Sequence, residues 1–386
     1  MVKWKKIEDV CKFLRGRSLS KNDIGLGDSK VILYGELYTT YGNYITSIVS
    51  KTSSERAESA THLNYGDLVL PVSSTTKEAQ IGKVSVIKVN GGSLGSDAII
   101  LRDISNPDYV MYYLNSTLFE KDKMDCVHGT TIMHLSPKAL AQKIIPIPSL
   151  EEQNRIVGIL DTFTSSIENL KQQISQRRKQ YEYYRDQLLD LEGKPGVEMK
   201  TLGEICKIGD GLHGTPIYDE NGDYFFINGN NLSDGKIILK LETKKVDEEM
   251  FRKYGVELDE ESILMSINGT IGNVAQYRNE KIVLGKSAAY FRVKNKDVLH
   301  FKYLYYYLQT TKANEYYNGA LTGSTIKNLG LKALRDFDLP IPPFSEQQRI
   351  VSILDTFEAS IQNLEAQLSQ REKQYEYYRN KLLSFE

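Results

Sequence analysis

Apolar positions recur along one stretch of the chain in alternating steps of four and three: Ile156, Leu160, Phe163, Ile167, Leu170, Ile174, then Arg177, Tyr181, Tyr184, Leu188 and Leu191. That spacing lines one face of a helix and averages the 3.5-residue period of a coiled-coil seam, here with a single polar interruption. The whole pattern returns at a constant offset as Ile350, Leu354, Phe357, Ile361, Leu364, Leu368, Arg371, Tyr375, Tyr378, Leu382 and Phe385, with arginine at the same seam position. Roughly two-thirds of the aligned positions in the two copies are identical, so the chain carries an internal duplication whose unit is far longer than a solenoid repeat. At ~1.5 Å per residue each predicted helix is about 60 Å long. A lone helix with such a stripe would leave it wet, so the two stripes are expected to pack on each other.

Outside the arms the pattern changes. Short apolar runs bounded by Gly, Asn and Asp predict strands, among them Asp67–Val72 and its counterpart Ser262–Ile267. Helices are expected near 108–118 and 302–309, each with a Tyr-Tyr-Leu triplet. Val31–Gly42 reads as a β-rich run ending in a polar, aromatic loop. The duplication continues weakly: Trp4–Lys12 aligns with Met199–Lys207, and Gly129-Thr130-Thr131-Ile132 with Gly323-Ser324-Thr325-Ile326. The order is a mixed α/β unit (1–145), an arm (146–192), a hinge (193–198) built on glycines and a proline, a second mixed unit (199–339) and a second arm (340–386). Between the landmarks the two globular units differ almost completely in sequence. Arms constrained by packing and loops constrained by two different ligands would produce that contrast.

Composition narrows the classes. The 386 residues suit two or three domains, and 40% hydrophobic with 26% charged residues describes a globular chain. No apolar run is long enough to span a membrane and no signal-peptide core follows the N-terminal lysines, so a cytoplasmic location without membrane partners is expected. Three cysteines, Cys11, Cys126 and Cys206, form no paired motif and are expected as reduced core residues. The five histidines show no metal spacing. Phosphate-loop, dinucleotide, zinc-protease and nucleophile-elbow motifs are missing. Ile341-Pro342-Pro343-Phe344 lacks the polar residue that a base-methylating turn requires, and its prolines read as helix-start punctuation. No catalytic role is therefore expected of the chain on its own. A net charge of -1 means that any nucleic-acid contact relies on local patches or on partners.

The Pro-[Ile]-Pro-x-x-x-Glu-Gln-x-x-Ile start at Glu152-Gln153 and Glu346-Gln347, the long heptad helix after it, and the Gly-[Ser/Thr]-Thr-Ile turns before it occur twice in one chain. Together they resemble the specificity (S) subunit of Type I DNA restriction-modification enzymes over the full length. The strings Tyr34–Tyr38 and Asp210–Pro216 resemble loops of that family's recognition domains. The resemblance implies an α+β architecture with pseudo-twofold internal duplication: two mixed α/β target recognition domains separated by two long antiparallel coiled-coil helices. It implies that each domain reads one half of a split double-stranded DNA target, that the helices set the spacer, and that two methyltransferase subunits and then restriction subunits dock. S-adenosylmethionine would serve the methyltransferase subunits, and ATP and Mg the restriction subunits, with no cofactor in this chain.

Base reading needs forked donors and acceptors on exposed loops. In the first domain the candidates are Tyr34, Glu36, Tyr38, Thr39, Thr40 and Tyr41, then Ser73, Ser74, Thr75, Thr76 and Lys77, then Thr130, Thr131 and His134. In the second they are His213, Thr215, Asn228, Asn230, Asn231, Asn268, Thr270, Ser324, Thr325, Lys327 and Asn328. Gly211, Gly214, Gly269 and Gly272 are expected to shape the loops. Tyr181, Tyr184, Tyr375 and Tyr378 are expected in the seam, Tyr183 and Tyr377 outside it, and Arg177 and Arg371 are expected to fix its register. Heptads alone also fit a tandem coiled-coil scaffold that binds proteins and reads no DNA; a fragment of a single-chain restriction-methylation enzyme is disfavoured by the missing methyltransferase motifs.

Overall fold

Each copy of the duplicated segment begins in a strand before it becomes a helix. In the computed structural model, which describes residues 2–74, 81–323 and 327–385, Ile144–Ile147 pairs antiparallel with Lys3–Lys6, and Asp338–Ile341 pairs antiparallel with Glu198–Thr201. Pro146 and Pro340 thus sit in two-stranded ribbons, where a missing N–H is tolerated, and Pro148 in the first copy and Pro342 and Pro343 in the second lie in the short link between ribbon and helix. The long helices run Leu150–Leu189 and Phe344–Leu383, 40 residues each. They start several residues later than the arm boundaries read from the sequence, because the first residues of each repeat belong to the ribbon. After the first helix, Gly193 and Gly196 take φ of 72° and 77°, a left-handed backbone that side chains disfavour.

The chain divides into two compact units, Met1–Leu170 with Gln367–Glu386, and Lys171–Ala366. Each unit therefore holds one globular domain, the first half of one long helix and the second half of the other. In the first unit a five-stranded sheet has the order Lys12–Arg15, Ala98–Arg102, Leu68–Pro71, Ser85–Ile87, Tyr44–Ile45. In the second, Cys206–Asp210, Ala288–Val293, Ile263–Ser266 and Val274–Gln276 follow the same order. The central strands Leu68–Pro71 and Ile263–Ser266 are buried throughout, as their unbroken apolar runs predict. Cys11 and Cys206 lie in the respective cores, and burial pushes both thiols up to about 12, which leaves them inert.

The Tyr-Tyr-Leu helices, Pro107–Leu114 and Phe301–Tyr307, clamp each domain to the start of the long helix that follows it. Tyr109 donates to the Pro146 carbonyl at 2.9 Å and Tyr303 to the Pro340 carbonyl at 2.8 Å. One helical turn on, Tyr112 donates to Asp161 at 2.7 Å and Tyr306 to Asp355 at 2.5 Å. Tyr44 adds a second hydroxyl to Asp161, whereas Lys302 completes the Asp355 site. Gln153 and Gln347 explain the Glu-Gln signature: both are buried, and each donates its amide to the proline carbonyl five residues back. The adjacent glutamates pair with Arg155 and Arg349 at the surface.

In each unit the seam closes antiparallel. In the first, Leu160 and Ile156 pack in one core with Leu382 and Leu383, while Phe163 meets Tyr375 and stacks on Tyr378 at 5.5 Å. In the second, Phe357 meets Tyr181 and stacks on Tyr184 at 5.5 Å. Tyr184 and Tyr378 nevertheless remain 47% and 43% exposed, so they roof the seam instead of filling it. Two helices alone cannot enclose both faces of a long side chain. Ile167, Leu170, Ile174, Leu364 and Leu368 are half-buried for the same reason, and Ile361 is buried. Arg177 and Arg371 lay their guanidinium groups over Phe357 and Phe163 at 6.0 and 5.7 Å, a cation–π contact that lets a charge live in the seam.

Candidate nucleic-acid interface

In the first unit four segments converge at one end of the sheet. Ser73, just past the central strand, pairs across strands with His134. The Ser73 hydroxyl lies 3.1 Å from the Asp97 carboxylate and 3.1 Å from His134 Nδ1, and its carbonyl accepts from Tyr38 at 2.9 Å. His134 belongs to a hairpin, Val127–His128 with Met133–Leu135, whose turn exposes Thr130 and Thr131 and takes φ of 112° at Gly129. Thr39 and Thr40 are exposed beside this edge, and Tyr34 packs half-buried on the apolar cluster beneath.

The second unit brings the same four segments together. Leu212 bridges to Gly285 and anchors the exposed loop of His213 and Thr215; His213 Nε2 lies 2.8 Å from Asp210. Asn268 bridges to Asn328, its amide donates to the Lys286 carbonyl at 3.3 Å, and Gly269 N–H donates to the Lys327 carbonyl at 3.1 Å. Thr270, Lys327 and Asn230 are exposed around them. Asn228 accepts from Ser287 at 2.9 Å.

The frames match bond for bond where the sequences do not. Gly95 N–H donates to Ile32 and Gly285 N–H to Ile227; Val72 to Asp97 and Ile267 to Ser287; Leu135 to Val72 and Leu329 to Ile267; Arg17 to Leu94 and Leu212 to Leu284. Ser73 therefore stands where Asn268 does, His134 where Asn328 does, and Asp97 where Ser287 does.

Several sequence candidates serve this frame. The run Val31–Gly42 begins in the strand Ser29–Ile32 as expected, but its polar, aromatic part forms a short helix, Glu36–Thr39, in place of an open loop. Glu36 accepts the Leu33 N–H at 2.7 Å and the Ser50 hydroxyl at 2.5 Å. Asn231 does the same work in the second unit, accepting the Asn228 N–H at 3.0 Å and donating to Ile238, so both are local caps. Tyr41 is 8% exposed and its hydroxyl accepts the Val49 N–H, and Ser73 and Ser74 are buried. Burial pushes the Tyr38 and Tyr41 hydroxyls upward. Thr75, Thr76, Lys77, Ser324 and Thr325 lie outside the described residues. Asp97, Lys286 and Ser287 were missed because the loop before that strand differs in length between the units, which shifts their alignment out of the offset shared by the arms.

These edges offer polar donors and acceptors at one end of each domain's sheet. Among the described residues no group of His, Cys, Asp or Glu could hold a metal ion, and no helix is long and apolar enough to cross a membrane.

Comparison with known proteins agrees with this layout. A family model described as Type I restriction modification DNA specificity domain matches twice, over residues 1–177 and 195–372. The specificity subunit of the Escherichia coli EcoR124I/EcoR124II type I restriction enzyme is 34% identical over 264 residues, a match covering 64% of this chain and 64% of that protein. A putative type I restriction enzyme specificity subunit from Haemophilus influenzae is 30% identical over 72% of each. The solved Type-I restriction-modification S subunit of M. genitalium superposes with a TM-score of 0.58 at 16% identity, covering 100% of this chain and 97% of that one. A chain from a structure of a type I restriction-modification system solved to explain complex assembly gives 0.63 at 18% identity, covering 100% and 98%. With both globular domains and most of both long helices matched, the chain belongs to the Type I restriction-modification DNA specificity family.

Proposed function

We propose that this chain is the non-catalytic subunit that chooses the DNA target of a Type I restriction-modification complex. Each globular domain reads one half of a split double-stranded site, and the paired helices set the distance between halves. The observation that carries the reading is the matched sheet edge: an unchanged hydrogen-bond frame presents Ser73, Asp97 and His134 in one unit and Asn268, Ser287 and Asn328 in the other. A duplicated protein that bound one kind of ligand twice would keep the side chains as well as the frame.

The arms also supply a docking surface for methyltransferase subunits. In the first unit a groove of about 750 Å³ is lined by Ile159, Phe163, Tyr378, Leu382 and Phe385, with Arg155, Arg371 and Lys381 around them. Two methyltransferase subunits carrying S-adenosylmethionine would occupy the arms, and restriction subunits using ATP and Mg would join through them. With a chain charge of -1, those partners supply much of the grip on the phosphate backbone.

Mapping methylated bases across the genome with and without this gene tests the proposal. The expected result is one bipartite motif that disappears with the gene; unchanged methylation in its absence would instead favour a protein-binding scaffold.

A further inference from the structure

The reading edge has an internal logic that separates the residue meeting the base from those holding it. In the first unit Ser73 is 7% exposed and its hydroxyl lies within 3.1 Å of both the Asp97 carboxylate and His134 Nδ1. A carboxylate only accepts, so Ser73 donates to Asp97 and its oxygen takes the proton on His134 Nδ1. Asp97 is held there at a φ of 61°, a backbone conformation costly for a side-chain-bearing residue and concentrated at functional positions. In its neutral form the His134 ring is thereby held as the Nδ1–H tautomer, and Nε2, on an exposed side chain, is then an acceptor. In the second unit Asn268 is tethered by one of its two amide N–H groups to the Lys286 carbonyl, while the half-buried Asn328 makes no side-chain hydrogen bond among the described residues and keeps all its donors and its acceptor.

Resting on the DNA reading proposed above, we infer that His134 and Asn328 are matched specificity-determining residues, one for each half-site, with Ser73, Asp97 and Asn268 as positioning residues. In the major groove an acceptor at His134 Nε2 matches the exocyclic amino group of adenine or cytosine and rejects the keto groups of guanine and thymine. The Asn328 amide matches the paired N7 acceptor and N6 donor of adenine.

The test uses the chain assembled with its methyltransferase subunits and a duplex library randomised through both halves of the target. The parent complex must first select a bipartite sequence; if it selects none, the DNA reading itself falls. Given that selection, His134→Ala should lower discrimination at one base pair by about tenfold to a hundredfold and leave the other half as it was. Asn328→Ala should do the same in the other half. Ser73→Ala frees the ring to change tautomer, so the amino-over-keto preference at the His134 position should weaken several-fold while total affinity is kept. Thermal melting of each variant separates lost reading from lost folding. The inference is overturned if folded His134→Ala and Asn328→Ala complexes keep every parental base preference, or if both affect the same half.

Discussion

At the scale of single residues, the two copies of the Glu-Gln signature are not equivalent. Gln347 is fully buried and makes three bonds, accepting from His300 N–H at 2.9 Å and donating to the Val298 and Pro342 carbonyls at 2.9 and 3.0 Å. Among the described residues, the Gln153 side chain bonds only the Pro148 carbonyl, at 2.9 Å. Gln347→Ala should therefore cost about 3 kcal/mol, read as a lower urea midpoint, and Gln153→Ala about 1 kcal/mol. Equal effects would show that the extra bonds carry no stability. A second asymmetry is Glu358, which stands where the first helix has Thr164. Burial raises its carboxyl above the ordinary range, helped by Asp355 and opposed by the Tyr306 and Tyr305 hydroxyls and Lys302. A carboxyl with a raised folded pKa contributes stability that is fully present below its unfolded value, near 4.5, and lost as pH rises through the folded value. Glu358→Gln should accordingly raise stability at pH 7, read as a higher urea midpoint, and flatten the pH dependence above 4.5; a loss of stability at pH 7 would mean the ionised form is the one the site holds. Neither role was legible in the sequence, since a glutamine that ties a carbonyl and a glutamate facing tyrosines follow no periodicity.

At the scale of elements, the arms were the most legible part of the chain. Their seam repeats every seven residues, and a second copy confirms each position from Ile156 to Leu191. What the period does not tell is how much of a seam position is covered. Tyr181 and Tyr184 look equivalent in the heptad, yet Tyr184 is nearly half exposed, because only one partner helix stands across from it. Glu36 and Asn231 show the opposite failure. Both have the chemistry of base readers, and both are taken up by capping a short helical turn, which depends on a backbone bend no composition rule reports. The seam arginines make an element-scale prediction. Replacing both, Arg177→Leu with Arg371→Leu, removes the two polar entries that distinguish one register from its neighbours. The double variant should resist urea better and, assembled with its partners, should accept targets with more than one spacing between halves. If the accepted spacing stayed single while stability rose, the arginines would have no register role.

At the scale of the whole molecule, duplication and divergence carry the account. The domains share the order of four strands and the hydrogen bonds that shape one sheet edge, and they differ in the side chains presented there and in the loops around it. That shared frame was hidden from the sequence: short strands such as Ser93–Leu94 and Ile282–Leu284 have too few residues to align, and the loops between them differ in length. Each edge belongs to a domain tied to its own helix start by Tyr109 and Tyr112 or by Tyr303 and Tyr306. The most direct measurement exchanges residues 1–145 for the corresponding domain of a family relative and maps the methylated sequence of the assembled complex. One half of the motif should change while the other half and the spacing between them are retained; a motif left intact, or altered in both halves, would contradict the assignment of one half-site to each domain.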